Sequence, residues 1–585
     1  MRHRLPRVAC ASLLSLAGVT AASGCGDDAS APIDAGGRDG AVASDAGDGG
    51  GGGDAGNPAD LPVATWGRDA VVYHVLVRSF ADSDGDGHGD FDGLAARLDY
   101  IASLGVTAIL LLPVMEADDW SGGYRPEDLF AVEDDYGGEA GFARLVSEAH
   151  ARDLELLVDI PFDTVSDVHP FFVEARSSRD AAHHDDFPWV EMVGGECPAV
   201  GPAGARSFYQ PAEELGQCYW TKWLHITAEW RYANPAVRDM MYRVVEHWLD
   251  LGVDGFRHDS IEWTDDDVTM GMARRRSAGT HAFVSELMRR IKARSPEALL
   301  VGEAFNLEQL QVSEFYDDGV DMMFDYPVYF GGIMPALTGG EVDPLAAAIE
   351  AKLASVPGQR MGGLFLGNHD VPEGHTRITE VLERRHERLL QAAALLLSLP
   401  GTPFIYYGEE IGLPSGLGPD YSFLSPPGSP PIPRELWRKN PMQWDADPGR
   451  GFTTTAPWID FSDDPAVNVA AQDGDDASLL AAYRGLIAVR RSSPALTDGS
   501  YARVSSAEPS VYAFLREAGG ERVLVLYNFD GAEHPASVDL TAAGITEATV
   551  SDRIFGRPMA AVTPSNAGAY GPALPAYGAR WLRLE

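Results

Sequence analysis

From Ala70 onward the chain alternates two hydrophobic periods. Short β-rich apolar runs recur as AVVYHVLV (70–77), VTAILLLPV (106–114), LELLVDI (154–160), VDGFRHD (253–259), ALLVGEA (298–304), DMMFDYP (321–327), GGLFLGNHD (362–370) and TPFIYYGEE (402–410). Between them lie stretches with apolar residues every three or four positions, such as FDGLAARLDYIASLG, AGFARLVSEAHARD, VRDMMYRVVEHWLDLG and RRHERLLQAAALLLSLPG. The first period predicts strands and the second amphipathic helices. Eight β/α units in this order predict an α/β protein, a (β/α)8 TIM barrel. Such a barrel puts functional residues at the C-terminal ends of its strands.

Three segments break the rhythm. About 70 residues rich in Pro, Gly, His and aromatics separate the third run from Asn234, too many for an ordinary connection. They predict an inserted domain. From about Leu496 the helical period stops, and SVYAFLREAGGERVLVLYNFDG reads as two strands joined by a Gly-Gly turn, the start of a C-terminal antiparallel β-sandwich domain. At the other end, Arg2, Arg4 and Arg7 precede an apolar run, Val8 to Thr20, that is too short to span a bilayer. Ala22-Ser23-Gly24-Cys25 follows and looks like a bacterial lipoprotein signal, with Cys25 as the lipidated N-terminus. The expected location is therefore outside the cytoplasm, on a bacterial membrane through that lipid, periplasmic or at the cell surface. Residues 26–60 are mostly Gly, Ala and Asp and lack the apolar area to offset ordering, so they read as a flexible tether. The expected organisation is a signal at 1–25, the tether at 26–60, barrel at 61–162 and 234–495, insert at 163–233 and β domain at 496–585.

Charge narrows the partners. Lys plus Arg number 45 and Asp plus Glu 87, a net charge of −42, which disfavours nucleic acid and anionic lipid surfaces and suits a neutral substrate. The sequence predicts a monomer. Of four cysteines, Cys10 falls in the signal and Cys25 in the lipid-attachment motif; Cys197 and Cys218 remain, and in an exported chain they are expected to form a disulfide in the insert.

The chemistry gathers on GFRHD. Arg257 and Asp259 stand two apart on a strand and share a face, and a neighbouring cation keeps a carboxylate ionised and nucleophilic. Glu303 follows the apolar run 298–301, and Asn368, His369 and Asp370 follow another; acids at the ends of three strands predict one shared site. GFRHD, GE and NHD, in this order and spacing, resemble the second, third and fourth sequence regions of the α-amylase superfamily of glycoside hydrolases (family 13). The resemblance runs from about Ala70 to the C-terminus. It implies that the insert is the family's B domain, that Asp259 is the nucleophile, Glu303 the general acid/base and Asp370 the transition-state stabiliser, and that Arg257 and His369 contact the substrate side of the site. A retaining glycosidase needs two carboxyls about 5–5.5 Å apart, one ionised and one protonated. His258 reads as packing or a local hydrogen bond, and Trp263 as a stacking surface.

Further motifs refine this. DSDGDGHGD at 82–90 sets Asp82, Asp84, Asp86 and Asp90 at alternate positions on a glycine-bent loop, with the His88 carbonyl between them, a hard-oxygen set suited to Ca²⁺. It is similar to the calcium loop of oligo-1,6-glucosidases, and the ion would be structural. GGYRPEDLF places Tyr124 where the family stacks a tyrosine on the sugar; Arg125 beside it leaves internal versus chain-end cleavage open, and Asp128 reads as a local structural acid. DIPFDTVSDVHP keeps the family's Asp159 but has Asp163 and Thr164 in place of Asn and His, which puts natural substrate and rate in doubt. WRKNPMQWD at 437–445 resembles the stretch after the barrel in α-glucosidases, trehalose synthases and related amylases. The resemblance implies a retaining α-glucan hydrolase of α-amylase type acting on starch or maltooligosaccharides. An exo-acting α-glucosidase or a trehalose-synthase-like transglycosylase is the near alternative. A catalytically silent glucan-binding surface protein is the distant one.

Overall fold

The computed structural model describes residues 56–117, 122–198, 208–221, 226–265, 276–305, 307–372, 376–416 and 435–585. The signal, Cys10, Cys25 and nearly all of the tether lie outside the described residues. Residues 57–60, read from composition as the end of the tether, belong to the folded unit. Pro58–Asp60 forms a 3-10 turn, and Arg360 donates to the Ala59 carbonyl at 3.1 Å.

Eight parallel strands close a barrel: β1 (Val72–Val75), β2 (Ala108–Leu111), β3 (Glu155–Ile160), β4 (Gly255–His258), β5 (Leu299–Gly302), β6 (Met322–Phe324), β7 (Met361–Phe365) and β8 (Thr402–Tyr406). Each pairs with its sequence neighbours, and β1 closes on β8. Seven strands fall inside the apolar runs, and β7 begins one residue ahead of its run, at Met361. Their continuity follows from burial on both faces. Val72, Leu110, Leu157, Leu299, Val301, Met322 and Phe404 fill the barrel interior, while Tyr73, Ile109, Leu111, Leu156, Val158, Leu300 and Ile405 face the surrounding helices. Gly255 has a steric reason: a Cβ there would lie 2.2 Å from the Leu299 carbonyl oxygen, so only glycine lets β4 approach β5. Where the sequence predicts one helix over 91–105, two short ones form, Phe91–Ala96 and Leu98–Ser103, broken at Arg97, whose φ/ψ of −106°/4° is not helical.

The insert leaves β3 through a strand, Thr164–Ser166, that pairs antiparallel with Thr227–Glu229. A three-stranded sheet follows, ordered Trp189–Glu191, Gln217–Thr221, Phe208–Ala212. The expected Cys197–Cys218 disulfide is present, with Cα atoms 5.8 Å apart and Cys218 on the central strand. Closing a loop of this sequence separation, 21 residues, is worth roughly 3 kcal/mol.

The C-terminal domain is a six-stranded antiparallel sheet ordered β9 (Ser500–Arg503), β10 (Val511–Ala518), β11 (Glu521–Asn528), β14 (Ala579–Leu584), β12 (Ala548–Asp552) and β13 (Arg557–Val562). The β10–β11 hairpin turns on Gly519 and Gly520, with φ of 60° and 80°, as the Gly-Gly pair predicts. The second layer of the expected sandwich is small. It holds a two-residue ribbon, His534–Pro535 with Ala573–Leu574, and irregular chain around it. Both faces of the central strands are nonetheless covered. Val511, Ala513, Leu515, Leu524 and Leu526 pack against that small layer; Tyr512, Phe514, Val523, Val525 and Tyr527 join the large core that includes the barrel helices. Across that boundary Arg516 donates to the Ser398 carbonyl at 2.8 Å and Gln391 to the Asn528 carbonyl at 2.6 Å.

Candidate active site

Arg257 is the hub. It lies in β4 opposite Asp159 of β3, both inside the barrel and each at most 1% exposed. Its Nη1 donates to Asp159 Oδ2, to Asp259 Oδ1 at 2.8 Å and to Tyr124 Oη at 3.3 Å. Its Nη2 lies 3.2 Å from Glu303 Oε2. One guanidinium therefore faces three carboxyls from three adjacent strands.

Glu303, just past β5, is held at both oxygens. The Ser260 amide donates to Oε2 at 3.0 Å and the Tyr326 hydroxyl to Oε1 at 2.9 Å. Ser260 reaches this geometry in the left-handed region, φ 48° and ψ 44°, a backbone cost located at the site itself. Burial pushes the Glu303 carboxyl above the ordinary range, with Arg257 opposing and Asp370 adding to the rise. Burial raises Asp259 as well; Arg257 again opposes, and Glu303 adds to the rise. Two differences separate the pair. Asp259 has a direct charge-assisted hydrogen bond to Arg257 and a side chain 14% exposed, whereas Glu303 is 5% exposed and shares the same cation at longer range. The two carboxyls face one cation and exchange protons as a pair.

Asp370 follows β7 and is the most open of the three, with its side chain 46% exposed. His369 Nε2 sits 3.0 Å from Asp370 Oδ2. Burial acts to raise the Asp370 carboxyl, but His369 and Arg257 outweigh it and hold the group below the ordinary carboxylate range. The turn is fixed by Asn368, whose Oδ1 accepts from the Asp370 and Val371 amides at 2.7 and 2.9 Å and whose Nδ2 donates to Tyr326 Oη at 3.1 Å. The His369 ring stacks on Tyr124, centroids 5.0 Å apart and planes 20° apart, and Tyr124 in turn donates to Asp159 Oδ2 at 2.6 Å. All six residues taken from the sequence as catalytic or substrate-side (Asp259, Glu303, Asp370, Tyr124, Arg257 and His369) thus form one connected cluster.

Other residues are used differently. Arg125 turns away and is 6% exposed, donating to Ser166 Oγ, Asp167 Oδ1 and the Ile226 carbonyl, so it fastens the insert to the barrel mouth. Thr164, at the family's histidine position, starts the strand paired with Thr227–Glu229, and Asp163 uses its carbonyl to accept from the Trp230 amide. His169 caps the helix Pro170–Ala175 by accepting from the Phe171 amide, and burial lowers it to about 4. His258 is fully buried, lowered by burial to about 3, with Nδ1 2.9 Å from the Asp259 carbonyl. Asp128 accepts from the Phe130 and Ala131 amides, a local structural acid. Trp263 ends a 3-10 turn, Ile261–Trp263, after β4.

In the acidic loop, Asp82, Asp84 and Asp86 bring carboxylate oxygens within 4.8 Å of one another. Asp90 has another use: it accepts from Ser83 N, Ser83 Oγ and Gly93 N and caps the helix Phe91–Ala96. The His88 ring lies 3.5 Å from Asp86.

Sequence reading misses Tyr326, Ser260 and Lys439. Tyr326 stands at the C-terminal end of the sixth apolar run, so the rule that marks Glu303 marks it too. Lys439, within WRKNPMQWD, sets Nζ 5.7 Å from the Tyr124 ring centroid, a contact between distant segments that no local pattern reveals.

A closed (β/α)8 barrel whose mouth gathers Asp259 and Glu303 on Arg257, with Asp370 beside them on His369, has the layout of an enzyme site. The chain belongs to the alpha-amylase family: residues 74–499 match the alpha amylase catalytic domain, and residues 502–581 match the maltogenic amylase C-terminal domain. The trehalose synthase/amylase TreS of Mycobacterium tuberculosis is 31% identical over 540 residues, covering 83% of this chain and 86% of that protein. The oligo-1,6-glucosidase of Parageobacillus thermoglucosidasius is 29% identical over 513 residues, 79% of this chain and 90% of that one. Among solved structures, the alpha-glucosyl transfer enzyme XgtA aligns with a TM-score of 0.78 at 25% identity, over 90% of this chain and 100% of that one.

Proposed function

We propose that this protein is a retaining α-glucosidase-type enzyme that takes the terminal glucosyl unit of short α-glucans and passes it to water or to a second sugar. One observation carries the reading: a single buried guanidinium holds Asp259 on one terminal nitrogen and Glu303 on the other. A retaining glycosidase needs two carboxyls about 5–5.5 Å apart with opposite protonation, and a cation shared by both supports that reading. Asp259 attacks the anomeric carbon as Glu303 delivers its proton to the departing glycosidic oxygen. Glu303, now ionised, takes a proton from an acceptor hydroxyl, whose oxygen displaces Asp259 and restores the starting state. Asp370, kept ionised beside His369, faces the positive charge that develops on the ring.

Chain-end attack is favoured over internal attack by Lys439. It lies over Tyr124 while His369 stacks against the same ring, and a cation there would close the site beyond the first sugar. Transfer is supported by the trehalose synthase/amylase and glucosyl-transfer relatives. The deciding assay follows products from maltoheptaose, free or blocked at its non-reducing end. Loss of the free substrate alone, with glucose or glucosyl-transfer products, is the expected outcome. Cleavage of both would replace this reading with an internally acting α-amylase, and binding without cleavage would replace it with a silent glucan binder.

We also propose that Asp82, Asp84 and Asp86 hold a structural Ca²⁺. One carboxylate oxygen from each lies within 4.8 Å of the others, and Gly85 and Gly87, at φ 84° and 101°, supply the bend. The ion would tie this loop to Thr453, which donates to Asp82 Oδ2. Chelation is expected to lower the Tm, and Asp84→Ala to lower it equally and abolish the chelator's effect. An unchanged Tm in both would leave the loop an acidic turn.

A further inference from the structure

Behind the turn that carries Asn368 and Asp370 is a small cavity lined by Asn368, Val371, Arg377, Thr379, Tyr406 and Glu409, with room for one water molecule. All of its polar residues are almost wholly buried, among them Arg377 at 4% exposed, Thr379 at 2% and Glu409 at 5%. Four of them have a buried polar atom with no hydrogen-bond partner: Arg377 Nη2, Thr379 Oγ1, Glu409 Oε2 and Tyr406 Oη. Buried polar atoms in folded proteins are almost always satisfied.

Arg377 and Glu409 are held where they are by their other atoms. Arg377 Nε donates to Asn440 Oδ1 at 3.0 Å and Nη1 to the Tyr407 carbonyl at 2.6 Å, with the guanidinium 5.1 Å from the Tyr406 ring centroid. Glu409 Oε1 accepts from the Tyr483 hydroxyl at 2.7 Å. The missing partner must therefore accept from a guanidinium, exchange with a hydroxyl and pair with a carboxyl that burial raises to about 8, so that it holds its own proton at neutral pH. Water does all three.

We propose that Arg377, Thr379 and Glu409 bind one buried water molecule that braces the Asn368–Asp370 turn from behind, which makes Thr379 and Glu409 positioning residues for the Asp370 carboxylate. The turn lies between the cavity and the reacting groups: Asn368 lines the cavity, holds the Asp370 amide, and reaches Glu303 through Tyr326. Without the brace the Asp370 carboxylate drifts, and transition-state charge is met less well.

This inference rests on the role proposed above for Asp370. The test pairs high-resolution crystal structures of the wild type and Thr379→Val with kcat, KM and Tm of both. Valine keeps the shape of threonine and removes the hydroxyl. The wild type is expected to show one water peak within hydrogen-bond distance of all three atoms, and Thr379→Val to lose it and displace the Asp370 carboxylate. Its kcat should fall about tenfold with KM nearly unchanged. Thr379→Ser should restore water and rate together. An empty cavity in the wild type overturns the inference whatever the activity, as does loss of the water with Asp370 unmoved or with only the Tm lowered. A wild type that turns over no α-glucoside overturns the proposed activity instead, and the water peak with the Asp370 displacement still decides the brace.

Discussion

Asp259→Asn is expected to lower kcat on maltooligosaccharides by about 10⁴-fold or more, because an amide cannot form the glycosyl ester. The substitution is nearly isosteric, and Arg257 keeps Asp159 and Glu303 as partners, so the barrel mouth should stay intact. KM should change little, since binding and the first chemical step are then separated. The measurement is single-turnover kinetics on a maltooligosaccharide with circular dichroism as a folding control. Activity within tenfold of wild type in a folded variant would remove Asp259 from the nucleophile's role.

Glu303→Gln is the second large effect. Loss of general acid/base catalysis is expected to cost about 10²–10⁴-fold in kcat on a sugar leaving group. The loss should shrink on a nitrophenyl glucoside in the glycosylation step, because a phenolate leaves without protonation. The pH profile carries the sign. Burial lifts the Glu303 carboxyl, so its proton persists above the pH at which an exposed glutamate has lost it. Wild-type activity should therefore fall on the alkaline side as Glu303 ionises and on the acid side as Asp259 protonates, the two limbs belonging to the pair. Stability follows the same group. A carboxyl raised in the folded state binds more protons there, so its contribution to stability declines as pH rises from the unfolded value through the folded one. Glutamine removes that penalty, and the variant's Tm at alkaline pH should equal or exceed wild type. A variant that keeps the wild-type alkaline limb would exclude Glu303 as the acid.

Much of this architecture is legible in the chain because burial on both faces writes the strands as unbroken apolar runs. Asp259, Glu303 and Asp370 are legible for a related reason. Each is a carboxylate directly after such a run, where a barrel strand emerges at its mouth. What the sequence leaves closed is set by contacts between distant segments. Arg125 has the chemistry of a substrate residue and spends it on Ser166 and Asp167 of the insert. Asp90 has the spacing of a metal ligand and serves as a helix cap, because an aspartate just before a first turn satisfies free amides. Lys439 reaches Tyr124 across more than 300 residues, and no local period records that.

The C-terminal sheet meets the barrel through Tyr512, Phe514, Val523, Val525 and Tyr527, which share a core with the helix His386–Ser398. That helix is the return path between β7, which presents Asp370, and β8. The match to two named domains, meeting near residue 500, thus describes ancestry more than separability. A fragment ending at 499 would uncover an oily flank on the catalytic half and strand the Ser398 hydroxyl that now meets Tyr527. Exchange of this sheet between relatives would therefore require its contact residues to travel with it.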